Sequence, residues 1–521
     1  MAIEYNYATD YDSSDYTYNG GAVTSISING IHGQTFADGT EELIVVWNDH
    51  PFVYSSGWNC QPITLTTNTD CYFDSFLDHV FMVNGTDSNY SYDGTTWSAT
   101  TNLQDSPIAK FVKEHNTRLY LYNISIGGTI DKPSWVWYSD LPKNGQITWG
   151  LEYGTNLVTT AASAEVTSAG STFVSNNVKV GDPLVITTGD NAGEYTVQSV
   201  DAETTITLTA DLDNTDSGDT FWVGGNYFEV ATQDGDSGNG LAETSNELFC
   251  FKTDSLFRFN ASATELRKVK TAPGTTSSRS IVESGGYVYW YHPSGIYRTI
   301  GQDAQLISNS IEDAIEGVDS DNHDIVCGWK NDIDKTVNMY LGNVTLRDGD
   351  VIEKCVASFD ENSETMSFRS YDKVVNVATG WLESNIPKVY AGNKTSTVFQ
   401  LDTGNDFDGN PIPFELEFKP IFPAGSEAIA TFDRLRLYIE NGPDVQAVYK
   451  LLYKPTKRED VWINDKDWQS LQGSQRGERG EWYFPSGTRA SGVKVKLIET
   501  STDESFLFEK LVIYYSDVAN K

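Results

Sequence analysis

Short alternating hairpins recur along this chain, and their recurrence limits the folds open to it more than any other feature. Tyr287-Val288-Tyr289-Trp290-Tyr291 leads through His292-Pro293-Ser294-Gly295 into Ile296-Tyr297-Arg298, two alternating runs joined by a polar turn. Alternation on both sides of an Asn, Asp, Gly or Ser turn marks an antiparallel hairpin. The same layout returns at residues 43–54, 80–94, 118–139, 247–259 and 388–401. A further apolar strand usually precedes the pair, as Arg279-Ser280-Ile281-Val282-Glu283 precedes the first. The units are spaced by roughly 35 to 50 residues once one interruption is set aside, which is the period of propeller blades. A single such sheet cannot bury both faces, whereas a closed ring of them buries both and leaves only short edges. The expectation is an all-β chain built on a β-propeller of about six to seven blades.

The interruption falls between residues 151 and 225. Val178-Lys179-Val180-Gly181-Asp182-Pro183-Leu184-Val185-Ile186, residues 193–200 and residues 204–209 form short strands with Gly-Asp turns and no blade-type hairpin. They read as a small β-barrel inserted in a loop between blades, where a rigid ring holds both ends of an insertion. A third pattern follows a linker at residues 404–411. Phe414-Glu415-Leu416-Glu417-Phe418, residues 435–439, 448–453, 493–498 and 508–515 alternate cleanly, as the strands of an antiparallel sandwich do. The expected domains are therefore propeller at 1–150, inserted barrel at 151–225, propeller again at 226–405, and a C-terminal β-sandwich at 411–521. Helix is scarce, and Ser310-Ile311-Glu312-Asp313-Ala314-Ile315 is the best short candidate, with Ser308 or Ser310 as its N-cap.

The formal charge of −37 excludes a general nucleic-acid-binding surface, which needs a basic face. It fits solvation in a salty setting, or a surface that repels a polyanion. Five cysteines without a CxxC pair read as reduced, buried thiols, with a Cys60–Cys71 bridge as the one alternative. The N-terminal residues show no apolar signal-peptide core, and no run approaches 18 apolar residues. A reducing cytosol without membrane insertion is the expectation.

Candidate chemistry is sparse. Ser91-Tyr92-Asp93-Gly94-Thr95-Thr96-Trp97 resembles the Asp-box of sialidase-like propellers, but it is one residue short and occurs once, so a structural turn is expected. Asp234 and Asp236, and Asp402, Asp406 and Asp408, place carboxylates at alternate positions that can ligate Ca²⁺, yet neither loop has a full calcium-loop pattern. Acidic turns without metal are the expectation for both. The six histidines show no zinc spacing. His50-Pro51 and His292-Pro293 sit at matching hairpin turns, a sign of repetition rather than catalysis. No GxSxG, P-loop or Rossmann pattern is present, so no enzyme activity and no cofactor are expected. Arg476 and Arg479 make a basic tip in an acidic chain and are candidates for contact with a neighbouring chain. Trp462, Trp468 and Trp482 are candidates for stacking on sugars.

Two segments carry a resemblance. One runs Phe228-Glu229-Val230-Ala231-Thr232-Gln233-Asp234-Gly235-Asp236, then Gly240-Leu241, then residues 247–258 with Phe251-Lys252 at their centre. The other runs from Ser278 and Arg279 through Gly285, Gly286 and Trp290 to Pro293-Ser294-Gly295-Ile296-Tyr297-Arg298 and Ile307-Ser308. Over roughly residues 226–320 they resemble the blades of the tail nozzle, or packaged-DNA stabilisation, family of short-tailed phages. Gly286, Trp290, Gly295 and Tyr297 are then blade-packing residues. The resemblance implies a virion tail protein that forms a ring, usually of six copies, below the portal and adaptor. Such a ring extends the DNA channel, retains the packaged genome and lets it pass at infection without sequence-specific binding. Another tail component, such as a receptor-binding or baseplate protein with a carbohydrate-binding sandwich, is the alternative.

Overall fold

The structure, a computed structural model, describes residues 27–401 except 56, 105, 127–129, 177, 261–264, 348, 372 and 396. Beyond them it describes 406–407, 410–411, 414–418, 421–423, 429–440, 446–453, 463–464, 469–476, 479–499 and 507–517. The chain divides into two compact units, residues 2–401 and 402–521.

The first unit is a β-propeller. Blade 1 is a four-stranded meander of Ile28–Thr35, Glu41–Trp47, His50–Tyr54 and Trp58–Cys60. Blade 2 follows at 72–98, blade 4 at 238–268, blade 5 at 282–306 and blade 6 at 327–370, each with four consecutive antiparallel strands. Blade 7 has three described strands, Val377–Glu383, Ile386–Gly392 and Val398–Leu401. Going round, the first strand of each blade packs on the first strand of the next, and Val377–Glu383 returns to Ile28–Thr35. Seven sheets thus close a ring. Among the described residues, blades 7 and 1 meet at the seam by packing of their first strands. Trp381 lies across Gly33, where a β-carbon would meet its ring at 2.3 Å, and Ile28 lies across Gly392. Asn376 donates to Ile28 O at 2.7 Å.

The second and third strands of a blade are its most apolar. Glu41–Trp47, Glu247–Lys252 and Tyr287–His292 are buried almost throughout, because both faces of the sheet meet a neighbouring blade. The opening hairpin of the sequence reading forms these two middle strands of blade 5. The innermost strand is the three-residue Val282–Ser284. The apolar strand expected at 279–283 is thus shorter and shifted, because Ser278–Ser280 form a 3₁₀ turn.

Blade 3 differs. Its strands are Ile108–His115, Arg118–Ile126, Ile130–Tyr138 and then Tyr227–Glu229, far along the chain. The barrel is therefore inserted inside a blade, between its third and outermost strands, and not in a loop between blades. The three-residue return strand pairs Trp135 with Glu229, Val136 with Phe228 and Trp137 with Tyr227. It carries too little pattern to be told from a linker in the sequence.

The barrel closes through six strands in the order Leu151–Thr159, Ser163–Ser168, Thr205–Leu212, Gly193–Ala202, Pro183–Ile186 and Asp216–Gly224. Alternation on the last strand does two jobs. Phe221 and Val223 point into the barrel core with Leu157, Val166, Leu184 and Ile206. Trp222 points the other way, into the blade 3 cluster with Trp137 and Trp149. The Trp137 and Trp222 rings meet edge to face at 6.0 Å.

The second unit is a two-sheet sandwich. One sheet orders Phe414–Glu417, Gly492–Glu499, Gln446–Tyr453 and Ile463–Asn464. The other orders Gln472–Arg476, Arg479–Tyr483 and Ala430–Glu440, with Leu507–Asp517 paired to the last. Their facing sides share one core of Phe432, Leu435, Leu437, Tyr449, Val493, Val495, Leu497 and Trp482. Within the expected linker, Asp406–Phe407 and Asn410–Pro411 form a two-rung ladder.

The helix candidate divides into a 3₁₀ turn, Asn309–Ile311, and one α-turn, Glu312–Glu316. Neither Ser308 nor Ser310 caps it. The Ser308 hydroxyl instead accepts the Ile296 N–H of blade 5 at 3.0 Å.

Candidate functional site

The first strands of all seven blades converge on a cavity of about 350 Å³ at the propeller axis. Its lining combines small positions, among them Gly30, Gly240, Gly328 and Gly380, with the charged side chains Lys113, Arg279, Glu283 and Lys330. Such a lining follows from the geometry. Seven strands meeting at one axis leave little room, so the pattern is glycine where backbones crowd and long side chains where a gap remains.

Two clusters fill the axis. Lys113 of blade 3 meets Glu283 of blade 5 at 2.9 Å and Asp74 of blade 2 at 3.7 Å. Glu283 also accepts the Glu243 N–H of blade 4 at 2.7 Å. Glu243 in turn meets the ring of the buried His115 at 2.9 Å. Burial alone would lower the Lys113 ammonium, but Asp74 and Glu283 outweigh it and hold the group charged. Burial pushes the Glu283 carboxyl up, and Lys113 opposes that push. Burial also pushes His32 down, favouring its neutral form; its Nε2 lies 2.9 Å from Ser75 Oγ.

The second cluster is centred on Arg279. Its guanidinium donates to Asn376 O at 3.1 Å and Asn376 Oδ1 at 2.9 Å, both at the entry to blade 7. It also donates to Asn29 O of blade 1 at 3.2 Å and to Asp70, ahead of blade 2, at 2.5 Å. One side chain rooted before blade 5 thus crosses the axis and holds three other blades, including both sides of the seam. The fixed fork of arginine suits it to several acceptors at once.

Asp74 and Glu283 converge here with a lysine on both, and among the described lining residues Arg279 is the one arginine. Both carboxylates are paired with that one ammonium. Among the described residues, no group of three or more His, Cys, Asp or Glu side chains is placed to hold a metal ion.

The residues singled out from sequence fall into place elsewhere. Trp290 is fully buried in blade 5, stacked on Tyr297 at 5.7 Å and edge-on to Phe251 of blade 4 at 5.4 Å. Gly295 has φ +145°, and a β-carbon there would lie 2.2 Å from Leu306 and 2.9 Å from Ser308 Oγ. Gly286 turns with φ +81° in open space. His292 pairs with Gly295 across its turn, whereas His50 pairs with Trp47, so the two histidines sit on opposite arms of equivalent hairpins. The His292 ring is pushed down by burial and lies 2.6 Å from Ser294 Oγ.

Asp234 and Asp236 are committed to a clasp. The fully buried Lys252 ammonium meets Asp234 at 2.5 Å and donates to Ala231 O at 2.9 Å. Asp236 accepts the Asp254 N–H at 3.0 Å. The aspartates tie the return from blade 3 into blade 4, with a lysine where the sequence pattern allowed a cation. That lysine lies 18 residues on, and nothing local betrays the partnership. Asp402 and Asp408 lie outside the described residues, as does the side chain of Asp406. Asp93 closes a turn by accepting the N–H groups of Thr95 and Thr96 at 2.9 and 2.8 Å, and Trp97 stacks back on Tyr92.

Arg476 and Arg479 pair at the tip of a sandwich hairpin; their side chains lie outside the described ones. Trp482 is buried in the sandwich core and has no face free for a sugar. Trp462 and Trp468 lie outside the described residues. All five cysteines are free thiols, with Cys60 half-buried and the others buried. No described helix is long and apolar enough to cross a membrane.

No family model matches the chain, and no curated protein matches it. Among solved structures, the phage phi92 endosialidase is similar at 10% identity and TM-score 0.26, over 68% of this chain and 72% of that one. The computationally designed Ika8 protein is similar at 10% identity and TM-score 0.33, over 72% of this chain and 96% of that one. At such scores neither likeness bears on function. The blade count rests on the strand pairing, and the ring closure on the packing of first strand against first strand.

Proposed function

We propose that this chain is a structural protein of a phage tail, a nozzle or stabilisation ring that extends a DNA channel and retains the genome. The observation that carries the reading is how the two resembling motifs are used. Asp234 and Lys252 clasp blade 3 to blade 4, Arg279 bridges the axis, and Gly295 and Ser308 lock the blade 5 hairpin. Every one of these residues serves rigidity, which a scaffold under pressure requires.

Charge supports the same reading. Lys113, Lys252, Arg258, Arg279 and Arg298 are each paired with carboxylates inside or between blades. Five cations there face six carboxylates, so nearly all of the excess of −37 is left to the rest of the chain. An acidic lining repels the phosphate backbone and lets a duplex slide without sticking. The ring acts by steric hold and electrostatics, without bond chemistry. Its neighbours are further copies of itself, the portal and its adaptor, in the tail of the virion.

Sedimentation and electron microscopy of the purified protein test this. A closed ring of about six copies, or incorporation into portal–adaptor particles, is expected. A monomer at all concentrations that never joins such particles overturns it.

A further inference from the structure

Among the described residues, blade 7 ends at its third strand, Val398–Leu401, which pairs with Ile386–Gly392 alone. We propose that a segment within residues 2–26, which lie outside the described ones, adds to that outer edge as the fourth strand and latches the ring at its seam. Burial points to an occupied edge. The outer strands of blades 1 to 6 hold no buried residue. Val398, Phe399 and Leu401 are 0%, 6% and 5% exposed. They match third strands such as His50–Tyr54 and Gly295–Thr299, each of which has a further strand outside it. Backbone N–H and C=O groups on a buried edge need partners, and one more strand supplies them in register.

The residues that follow blade 7 are otherwise engaged. Third and fourth strands of blades 1, 2, 4, 5 and 6 are separated by three or four residues, as at 55–57 and 300–303, so a fourth strand continuing from Leu401 would begin at residue 405 or 406. Asp406–Phe407 pairs with Asn410–Pro411. The chain that precedes blade 1 arrives at the right place. Ile28 N–H donates to Asn393 O at 3.1 Å, in the turn between the second and third strands of blade 7. Ser27 O accepts the Asn48 N–H at 3.0 Å, and Asn376 Nδ2 lies 3.5 Å from Ser27 Oγ. Val398–Leu401 runs away from that turn, so a strand antiparallel to it runs toward the turn and delivers the chain to Ser27. The fourth position lies two strand spacings out from the end of the second strand, about 10 Å, which roughly three extended residues span. The added strand therefore ends near Thr24. Residues 2–26 belong to the same compact unit as the seven blades. Such a latch joins the start of the chain to the last blade, so opening the seam breaks a sheet as well as a packing contact.

Disulfide trapping in the full chain tests the latch, with Cys60→Ser removing the half-buried thiol. Gln400→Cys is combined in turn with Tyr18→Cys, Gly20→Cys, Ala22→Cys and Thr24→Cys, since cross-strand neighbours lie within disulfide reach. Peptide mass spectra of dilute, oxidised protein should show a bridge inside one chain at one or more of these positions. Gln305→Cys, on the outer strand of blade 5, should form none with the same partners. Bridges between chains assign the edge to a second copy and overturn the proposal, as does the lack of a bridge at every position. Amide exchange gives the second reading. Removing residues 2–24 should speed exchange at Val398–Leu401 by about 10-fold or more, while Tyr287–Thr299 of blade 5 exchanges as before. Equal exchange at Val398–Leu401 in both proteins overturns the latch. Should the shortened chain not fold, trapping in the full chain decides.

Discussion

Blades 3 and 5 perform the same task with opposite economies. Blade 5 is one uninterrupted run, 282–306, whose turns are tight and whose every strand meets the next in sequence. Blade 3 surrenders its outermost strand to a segment that returns only after the whole barrel. The interruption is tolerated because it falls at the rim. Three consecutive strands of blade 3 already cover its neighbours, and the outer strand adds three residue pairs and the stack of Tyr227 on Trp135 at 4.3 Å. The same break between the first and second strands would cost the packing that holds the ring. Folding from local hairpins outward favours the same arrangement, since loop-closure entropy grows only slowly with an insertion's length.

Substitutions can break or sharpen this contrast. Trp290→Ala removes the largest side chain shared by blades 4 and 5 and should cost about 3–5 kcal/mol, read from the denaturant midpoint of the propeller. A loss below about 1 kcal/mol would mean the middle strands are not where the ring is held. Gly295→Val meets both a positive φ and Leu306 and should cost about 2–4 kcal/mol, with ring assembly failing alongside. Gly225→Ala tests the junction of blade 3 instead. Its β-carbon would fall 1.6 Å from the Trp137 ring, so a loss of about 1–3 kcal/mol and a shift in tryptophan fluorescence are expected, confined to blade 3 and the barrel.

A smaller effect is expected at the clasp beyond the return strand. Lys252 holds the Asp234 carboxyl below its usual range against the opposing pull of burial. A depressed carboxyl stabilises the fold above its unfolded value and loses that contribution as pH falls through the folded one. Asp234→Asn should therefore be weaker than wild type at neutral pH, and the gap should close as pH drops below about 4. An unchanging gap would assign the loss to packing. The smallest effect belongs to excision of residues 151–224 with a short bridge. The ring should still close, with a loss within roughly 1–2 kcal/mol from the uncovered Trp137 surface. Failure to fold would show that the barrel braces the ring.

The blade rhythm was written in the sequence because alternation is local. Second strands such as Glu247–Lys252 and Tyr287–His292 are buried on two sides and run through a turn with its own chemistry into the third, so residues 247–259 and 287–298 declare themselves without reference to the rest. The barrel and sandwich show for the same reason, in strands such as Val493-Lys494-Val495-Lys496-Leu497. The tertiary structure alone decided what depends on distant partners. It chose seven blades, placed the insertion within blade 3, sent Arg279 across the axis to Asn29, Asp70 and Asn376, and set a buried lysine against Asp234. Period and turn composition fix the direction of a side chain, but ring closure fixes which charge it meets, and that pairing leaves no mark on the neighbouring residues.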